Sequence, residues 1–229
     1  TIVTVWMVNI PSMRGAGDLV YAISGIPGGP QANLDYFKKA LDDGSYGTQE
    51  IREQLVSYAN SIVGNASASN QLKDEFVRLA ISEMGKEVER APLDARLRAQ
   101  YALIYETSGQ YDKALEQVNE AIALSPKKQS FYLQKANLLA SAGKPTEARA
   151  VFHAAYDLAP SFPELAASAA AGDILAGDLA GGKAFLMEKL GTTTVNSTAL
   201  VRAYYETKRY DDLVAIVQLQ TREAGNTGP

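Results

Sequence analysis

The first ten residues, TIVTVWMVNI, are almost uniformly apolar and rich in β-branched side chains, and they stop at Pro11. That texture predicts an extended segment. It is too short to cross a hydrocarbon core, which takes roughly 20 helical residues, and no basic stretch with a small-residue cleavage site marks a signal peptide. Two readings fit it: an extended piece packed on the domain, or the exit of a membrane segment lying upstream of Thr1. Residues 11–32 carry Gly15, Gly17, Gly25, Gly28, Gly29, Pro27 and Pro30 around a short apolar patch at Leu19–Ile23, which predicts a linker with at most a short helix. From Gln31 the period changes. Ala32, Leu34, Phe37, Ala40 and Leu41 recur at three- and four-residue steps and predict an amphipathic helix. Asp43–Gly47 breaks it. A second helix is expected from Thr48 as N-cap, with Glu50 and Glu53 near its positive end and Ile51, Leu55, Tyr58, Ala59 and Ile62 on one side. Gly64 to Ser69 is the next turn. A third helix should run from Asn70 to about Arg90, closed by Pro92.

Beyond Asp94 the chain repeats itself. A shift of 34 residues lays Ala102 on Ala136, Gly109 on Gly143, Ala114 on Ala148, Ala121 on Ala155 and Pro126 on Pro160 without a gap. Small residues are needed where two antiparallel helices touch, glycine where the first helix ends left-handed, and proline where the second must stop. Tyr105, Tyr111, Val118 and Phe152 fill the large positions between them. This is the tetratricopeptide pattern of two helices per repeat. It weakens on both sides. One further shift places Gly177 in the turn and Ala170 in a small site, but Gly182 and Lys189 stand where the pattern wants alanine. Near the end, Tyr205-Glu206-Thr207 is matched to Tyr105-Glu106-Thr107 and Tyr210 to Tyr111, with one turn residue lost. Upstream, NLDYFKKAL resembles a second helix, with Phe37 and Ala40 as its large and small residues. The expected fold is all-α: a right-handed α-solenoid of about four to six TPR-like hairpins, stacked because a single hairpin cannot bury its apolar face. A short extended or irregular N-terminal segment precedes it. The expected divisions are 1–30 for the apolar start and linker, 31–92 for N-terminal helices, 93–162 for two clear repeats, and 163–229 for degenerate hairpins.

Composition mainly removes chemistry. The 229 residues include no Cys, one His and one Trp, with 22 Lys+Arg against 26 Asp+Glu. Thiolate nucleophiles, disulfides, iron–sulfur clusters and multi-histidine metal centres are therefore excluded, and a net charge of −4 argues against duplex nucleic acid. The absence of Cys leaves the compartment open. Gly177–Lys183 fits the first part of a P-loop, yet Ala184 stands where Ser or Thr must hold magnesium and no strand leads in. It is expected to be an inter-helix turn. His153 is expected to be a surface or packing residue, and Glu87, Glu89 and Arg90 a solvated helix end. Asn65 and Asn196 begin glycosylation triplets of a kind that arise often by chance.

Repeat arrays of this kind generally bind along the face lined by their first helices. The groove-facing positions are Arg96, Ala99, Gln100, Leu103 and Glu106 in one repeat and Ser130, Leu133, Gln134, Asn137 and Ser141 in the next. Ala99 and Leu133 occupy sites where carboxylate-clamping members carry cations, so a clamp for a terminal carboxylate is not expected. The groove suits a protein or peptide partner. No catalytic, cofactor or metal residue is expected, and the chain is not read as an enzyme.

Asn9-Ile10-Pro11, the Gln49–Glu53 stretch between the first helices and the Leu124–Lys127 run together resemble the soluble C-terminal region of bacterial O-antigen ligase/polymerase-like membrane proteins that carry tetratricopeptide repeats. The resemblance covers roughly residues 5–160. It implies an interaction module, with Thr1–Ile10 leaving the last membrane helix and the membrane part of the same chain as a further partner. The parent would then assemble cell-surface glycan with residues outside this sequence. It also implies a domain associated with the bacterial inner membrane, on the extracytoplasmic side by preference. The alternative is a freestanding, cytoplasmic adaptor unrelated to glycans.

Overall fold

The computed structural model describes residues 2–43 and 47–226, with side chains described for 12–43 and 47–222. Among the described residues there are twelve α-helices and no strands, pairing in sequence as hairpins: α1 (Ile2–Ile23) with α2 (Gly29–Asp42), α3 (Thr48–Val63) with α4 (Asn70–Arg90), α5 (Ala95–Thr107) with α6 (Tyr111–Leu124), α7 (Gln129–Ser141) with α8 (Pro145–Leu158), α9 (Pro163–Leu175) with α10 (Leu179–Leu190), and α11 (Thr198–Glu206) with α12 (Tyr210–Asn226). The all-α repeat fold expected from the sequence is the fold observed. The chain divides into two compact units, Thr1–Leu124 and Ser125–Pro229.

The start of the chain corrects an expectation. Residues 2–23 are helical, where an extended segment and a Gly-rich linker were expected. Preference for strand measures how side chains fit a pleated, half-buried surface more than it measures the backbone, and tertiary packing overrides it. Here Gly15, Asp18 and Ala22 are buried at helical spacing and α1 packs on α2. Buried Asn33 of α2 ties down the end of α1, its Nδ2 donating to the carbonyls of Ala22 and Ser24 at 2.9 and 2.7 Å. Lys39 of α2 meets Asp18 at 2.8 Å. The linker shrinks to the few residues between α1 and α2. Among the described residues no helix is long and apolar enough to cross a membrane.

The three predicted helices from Gln31 to Arg90 fall where the periodicity puts them, as α2, α3 and α4, with Phe37, Leu55, Phe76 and Met84 fully buried. Thr48 is the first residue of α3 and not its cap; Gly47 holds that position without a side-chain bond. Gly44–Tyr46, in the expected break, lie outside the described residues. A larger correction concerns Glu87, expected on a solvated helix end and in fact 0% exposed. Arg52 of α3 donates from Nε to Glu83 at 3.0 Å and from Nη1 to Glu87 at 2.5 Å. Arg90 adds a bond to Glu87, and Lys86 one to Glu83. A buried carboxylate is tolerated only when paired in this way. Burial alone would raise the Glu87 pKa, but hydrogen bonds and charge from Arg90 and Arg52 outweigh it and hold the carboxyl below the usual range.

From α5 onward each hairpin closes in the same way. Gly109, Gly143, Gly177 and Lys208 sit at φ 73°, 74°, 93° and 59°. The amide after each donates back to the carbonyl of Tyr105, Leu139, Asp173 or Tyr204 at 2.9, 2.9, 2.9 and 2.8 Å, which is the Schellman closure. This corrects the last repeat. Lys208 occupies the glycine slot and no turn residue is lost, so Tyr204, 2% exposed, is the counterpart of Tyr105, whereas Tyr205 is 65% exposed. Counted from these turns, the small sites Ala102, Ala114, Ala121, Ala136, Ala148 and Ala155 are all buried, and α6 and α8 end before Pro126 and Pro160. Gly182 follows the same rule to its limit: a Cβ there would lie 2.8 Å from the Ala170 carbonyl.

Two outcomes follow for stability. Lys208→Gly should stabilise the C-terminal hairpin by about 0.5–1 kcal/mol and Gly143→Ala should cost about 1–2 kcal/mol, because a Cβ is strained at positive φ; denaturant midpoints of the two variants measure both. The depressed Glu87 pKa stabilises the fold above the ordinary value of 4.5, and that stabilisation is lost as pH falls through the lower, folded value. Glu87→Gln should therefore cost roughly 1.5–3 kcal/mol at neutral pH, with the gap to wild type closing on acidification when thermal melts are compared across pH.

Candidate functional site

The expected groove residues divide between the two units. In the first, α3 lies beside α5, and the α5 residues are already engaged by it. Arg96 donates to Glu53 at 2.5 Å and Gln100 donates to the same carboxylate at 3.2 Å. Burial would raise the Glu53 pKa, but bonds from Gln49, Arg96 and Gln100 hold it low. Leu103 packs against the apolar core, Glu106 is half-buried, and Thr107 donates to Asn60 at 2.7 Å. Gln100 leaves its Oε1 buried with no hydrogen-bond partner. This face is largely closed on itself.

The second unit is open. Its first helices are α7, α9 and α11, and α9 is made of Leu165, Ala166, Ala167, Ser168, Ala169, Ala170, Ala171 and Gly172, all buried. Residues of α7, α9 and α11 line an open cleft of about 610 Å³. Leu133 and Asn137 of α7 form one wall, Ser168 and Glu164 of α9 the floor, and Thr198 and Arg202 of α11 the other wall. Arg202 reaches over α9: Nη1 donates to Asn137 Oδ1 and Nη2 to Ser141 Oγ, both at 3.2 Å, while Nε donates to Glu206 at 2.6 Å. Ser168 Oγ donates to the Glu164 carbonyl at 2.8 Å. Charged, amide and hydroxyl groups thus converge on a partly apolar hollow, the usual make-up of a recognition site.

Of the ten groove positions, Leu133 and Asn137 line this cleft and Ser141 is joined to its rim through Arg202. Ser130 and Gln134 are elsewhere on α7, while Arg96, Ala99, Gln100, Leu103 and Glu106 belong to the first unit. The residues missed were Arg202, Ser168 and Thr198. Counted back from the left-handed turn residue, Arg202 has the register of Leu103 and Asn137, Ser168 that of Gln100 and Gln134, and Thr198 that of Ala99 and Leu133. The match of Tyr205 to Tyr105 displaced α11 by one residue and hid two of the three.

The remaining motifs have structural roles. In the P-loop-like stretch, Asp178 caps α10 by accepting from the Gly181 amide at 2.8 Å, and Lys183 is paired with Asp212 of α12 at 2.5 Å. His153 packs edge-on against Phe185, and its Nε2 lies 2.9 Å from Oδ1 of buried Asp173, which also receives Arg149 at 2.7 Å. Asp173 stands where other repeats carry a large apolar or aromatic residue, and the two partners on α8 compensate its burial. Among the described residues no group of His, Asp and Glu could hold a metal ion.

A tetratricopeptide repeat family model matches residues 65–128 and again 100–163. Among solved structures, a thermophilic TPR protein of Thermus thermophilus is similar at 20% identity over 78% of this chain and 91% of its own, with a TM-score of 0.50. The MamA protein is similar at 15% identity over 82% and 90%, with a TM-score of 0.52. A tetratricopeptide repeat protein of Parabacteroides merdae is similar at 14% identity over 95% and 94%, with a TM-score of 0.50. No curated protein matches the chain. With the 34-residue period, the Schellman turns and the small-residue contacts observed above, the family model supports tetratricopeptide repeats within residues 65–163, and the structural likenesses show an all-α helical-repeat fold.

Proposed function

We propose that the chain is a non-catalytic protein-interaction module whose partner-binding site is the cleft of residues 125–229. The observation that carries this is the α9 floor. The central run of α9, Ala166–Gly172, holds only alanine, serine and glycine, and beside it lies an open hollow lined by Leu133, Asn137, Ser168 and Arg202. Nothing in the cleft has the arrangement of a nucleophile with its base: Ser168 donates to a backbone carbonyl, and His153 is bound to Asp173 outside the cleft lining. The polar groups present suit recognition of a peptide or protein segment, with the apolar wall accepting a side chain and the Asn137–Arg202 pair its backbone.

The finer placement we propose is the C-terminal tail of an O-antigen ligase/polymerase-like membrane protein, held at the bacterial inner membrane on the extracytoplasmic side. Its support is the motif likeness around Asn9-Ile10-Pro11, Gln49–Glu53 and Leu124–Lys127 and the apolar character of α1. The Gln49–Glu53 motif has a definite use here. Ile51 is core, Arg52 joins Glu83 and Glu87, and Glu53 receives Arg96 and Gln100. A freestanding adaptor fits the same features equally, and the coding sequence upstream of Thr1 separates the two: a series of apolar spans supports the membrane placement, and a start codon without them removes it.

The cleft itself is tested by filling it. Peptides selected from a random display library on the wild-type chain should bind Ser168→Leu and Leu133→Glu at least about tenfold more weakly, a loss of about 1.4 kcal/mol, and Asn137→Ala somewhat less so, while circular dichroism stays unchanged. Equal binding by all three variants would place the partner site elsewhere.

A further inference from the structure

Two ionised groups line the cleft of α7, α9 and α11, Arg202 and Glu164, and they stand in different conditions. Arg202 is committed within the fold. Its Nε donates to Glu206 at 2.6 Å, and Nη1 and Nη2 donate to Asn137 and Ser141, both at 3.2 Å. Every guanidinium nitrogen thus has a partner, and the charge is balanced by Glu206 four residues on. Glu164 lends its backbone carbonyl to Ser168, but no hydrogen bond or ion pair among the described residues engages its carboxylate. It is exposed in the first turn of α9, at the floor of the cleft. The ionised lining therefore carries an uncompensated negative charge.

The neutral polar groups call for oxygen acceptors. Arginine can only donate, so Arg202 holds Asn137 with Oδ1 turned toward it and leaves the N–H groups of Nδ2 as the free end of the amide. Ser197–Ala199 open α11 on the other wall. Ser197 caps that helix without a side-chain bond, and the first helical bond runs from the Val201 amide to the Ser197 carbonyl at 3.0 Å, so the amides of Thr198 and Ala199 take no intrahelical partner. A peptide backbone supplies carbonyl acceptors without charge. A carboxylate would supply acceptors too, but it would enter the same cleft as Glu164 with Arg202 already neutralised.

We propose that the cleft selects an extended segment of a partner protein with a Lys or Arg side chain directed at Glu164 and backbone carbonyls directed at Asn137 and the start of α11, and that it turns away terminal carboxylates. This rests on the cleft being the partner site. It reverses what an arginine in a groove suggests by itself, because Arg202 braces the Asn137 amide instead of receiving an anion. The charge preference is modest, since an ion pair open to water changes affinity by only about two- to fivefold at low salt and by less as salt screens it.

The test uses the full chain and end-blocked peptides from a random display library, kept only where Ser168→Leu weakens binding at least about tenfold. These cleft-dependent peptides should be richer in Lys and Arg than the unselected library. In fluorescence anisotropy at low salt, changing the basic residue of one of them to Gln should weaken binding to wild type about two- to fivefold. The same change should make no difference on Glu164→Gln, and a free C-terminal carboxylate should bring no gain on wild type. Selection on Glu164→Lys should turn the preference toward Asp and Glu, with circular dichroism unchanged in both variants. Cleft-dependent peptides without a charge preference, a preference for acidic residues or a free carboxylate, or a basic-residue advantage that survives Glu164→Gln would each overturn this inference and leave the cleft as the partner site. If no selected peptide depends on Ser168, the cleft reading falls and this inference with it.

Discussion

Each hairpin from α5 onward turns on a single residue held at positive φ, and the packing on both sides of the turn is set by its distance from that residue. The amide one residue on reaches back to the carbonyl four residues before the turn, at 2.8–2.9 Å in all four hairpins. This fixes where the first helix stops and how its partner leaves. Five residues later comes the inter-helix contact, filled by the small Ala114, Ala148 and Gly182 in three of the hairpins and by Leu213 in the last, and at Gly182 even a methyl group would press on a carbonyl. Nine residues later comes a large residue, Val118, Phe152 or Leu186, that is fully buried in the first three hairpins, Phe152 against Gly172 of α9. Lys208 shows that the constraint belongs to the backbone, since a non-glycine residue adopts the same conformation when the rest of the hairpin requires it.

That dependence explains what could be read from the sequence and what could not. The 34-residue period, the glycine turns and the alanine contacts were legible because each demands a particular residue type at a fixed offset. The fourth hairpin was legible as a hairpin but read one residue out of register, because lysine gives no sign of a left-handed turn and the Tyr-Glu-Thr match was more persuasive. The error moved Arg202 and Thr198 off the first-helix face. Glu87 was misread for a related reason: a glutamate late in a helix ordinarily faces water, and its burial is made tolerable by Arg90 one turn on together with Arg52 on the facing helix, 35 residues earlier. The apolar N-terminus was misread because β-branched residues favour strands only where a sheet is available to receive them.

Helix α9 looks in the sequence like decay of the repeat, with alanines replacing most of its distinguishing residues. In the structure that loss of bulk brings helices together. Gly172 admits the ring of Phe152, Gly182 lets α10 approach, and Arg202 of α11 reaches Asn137 of α7. The open cleft lies beside the same helix, with Ser168 in its lining, so the divergence from the repeat pattern and the open site coincide.

The price of a small-residue helix is that it has little to grip its neighbours with, and the charged groups around α9 answer this. Asp173 takes a position where Leu139 or Tyr204 would otherwise supply apolar contact, and it gathers Arg149 and His153 from α8. Asp178 caps α10 while meeting Arg149 at 3.4 Å, and Lys183 ties α10 to Asp212 of α12. Directional bonds to a buried carboxylate do not slide as a smooth alanine surface would, because the partner helix must keep its register to satisfy the charge. Alanine therefore makes the close approach possible, and the Asp173 and Lys183 pairs set the register in which α8, α10 and α12 meet it and its hairpin. The walls of the cleft depend on that register, since a shift of α9 by a single residue would move Ser168 off its floor.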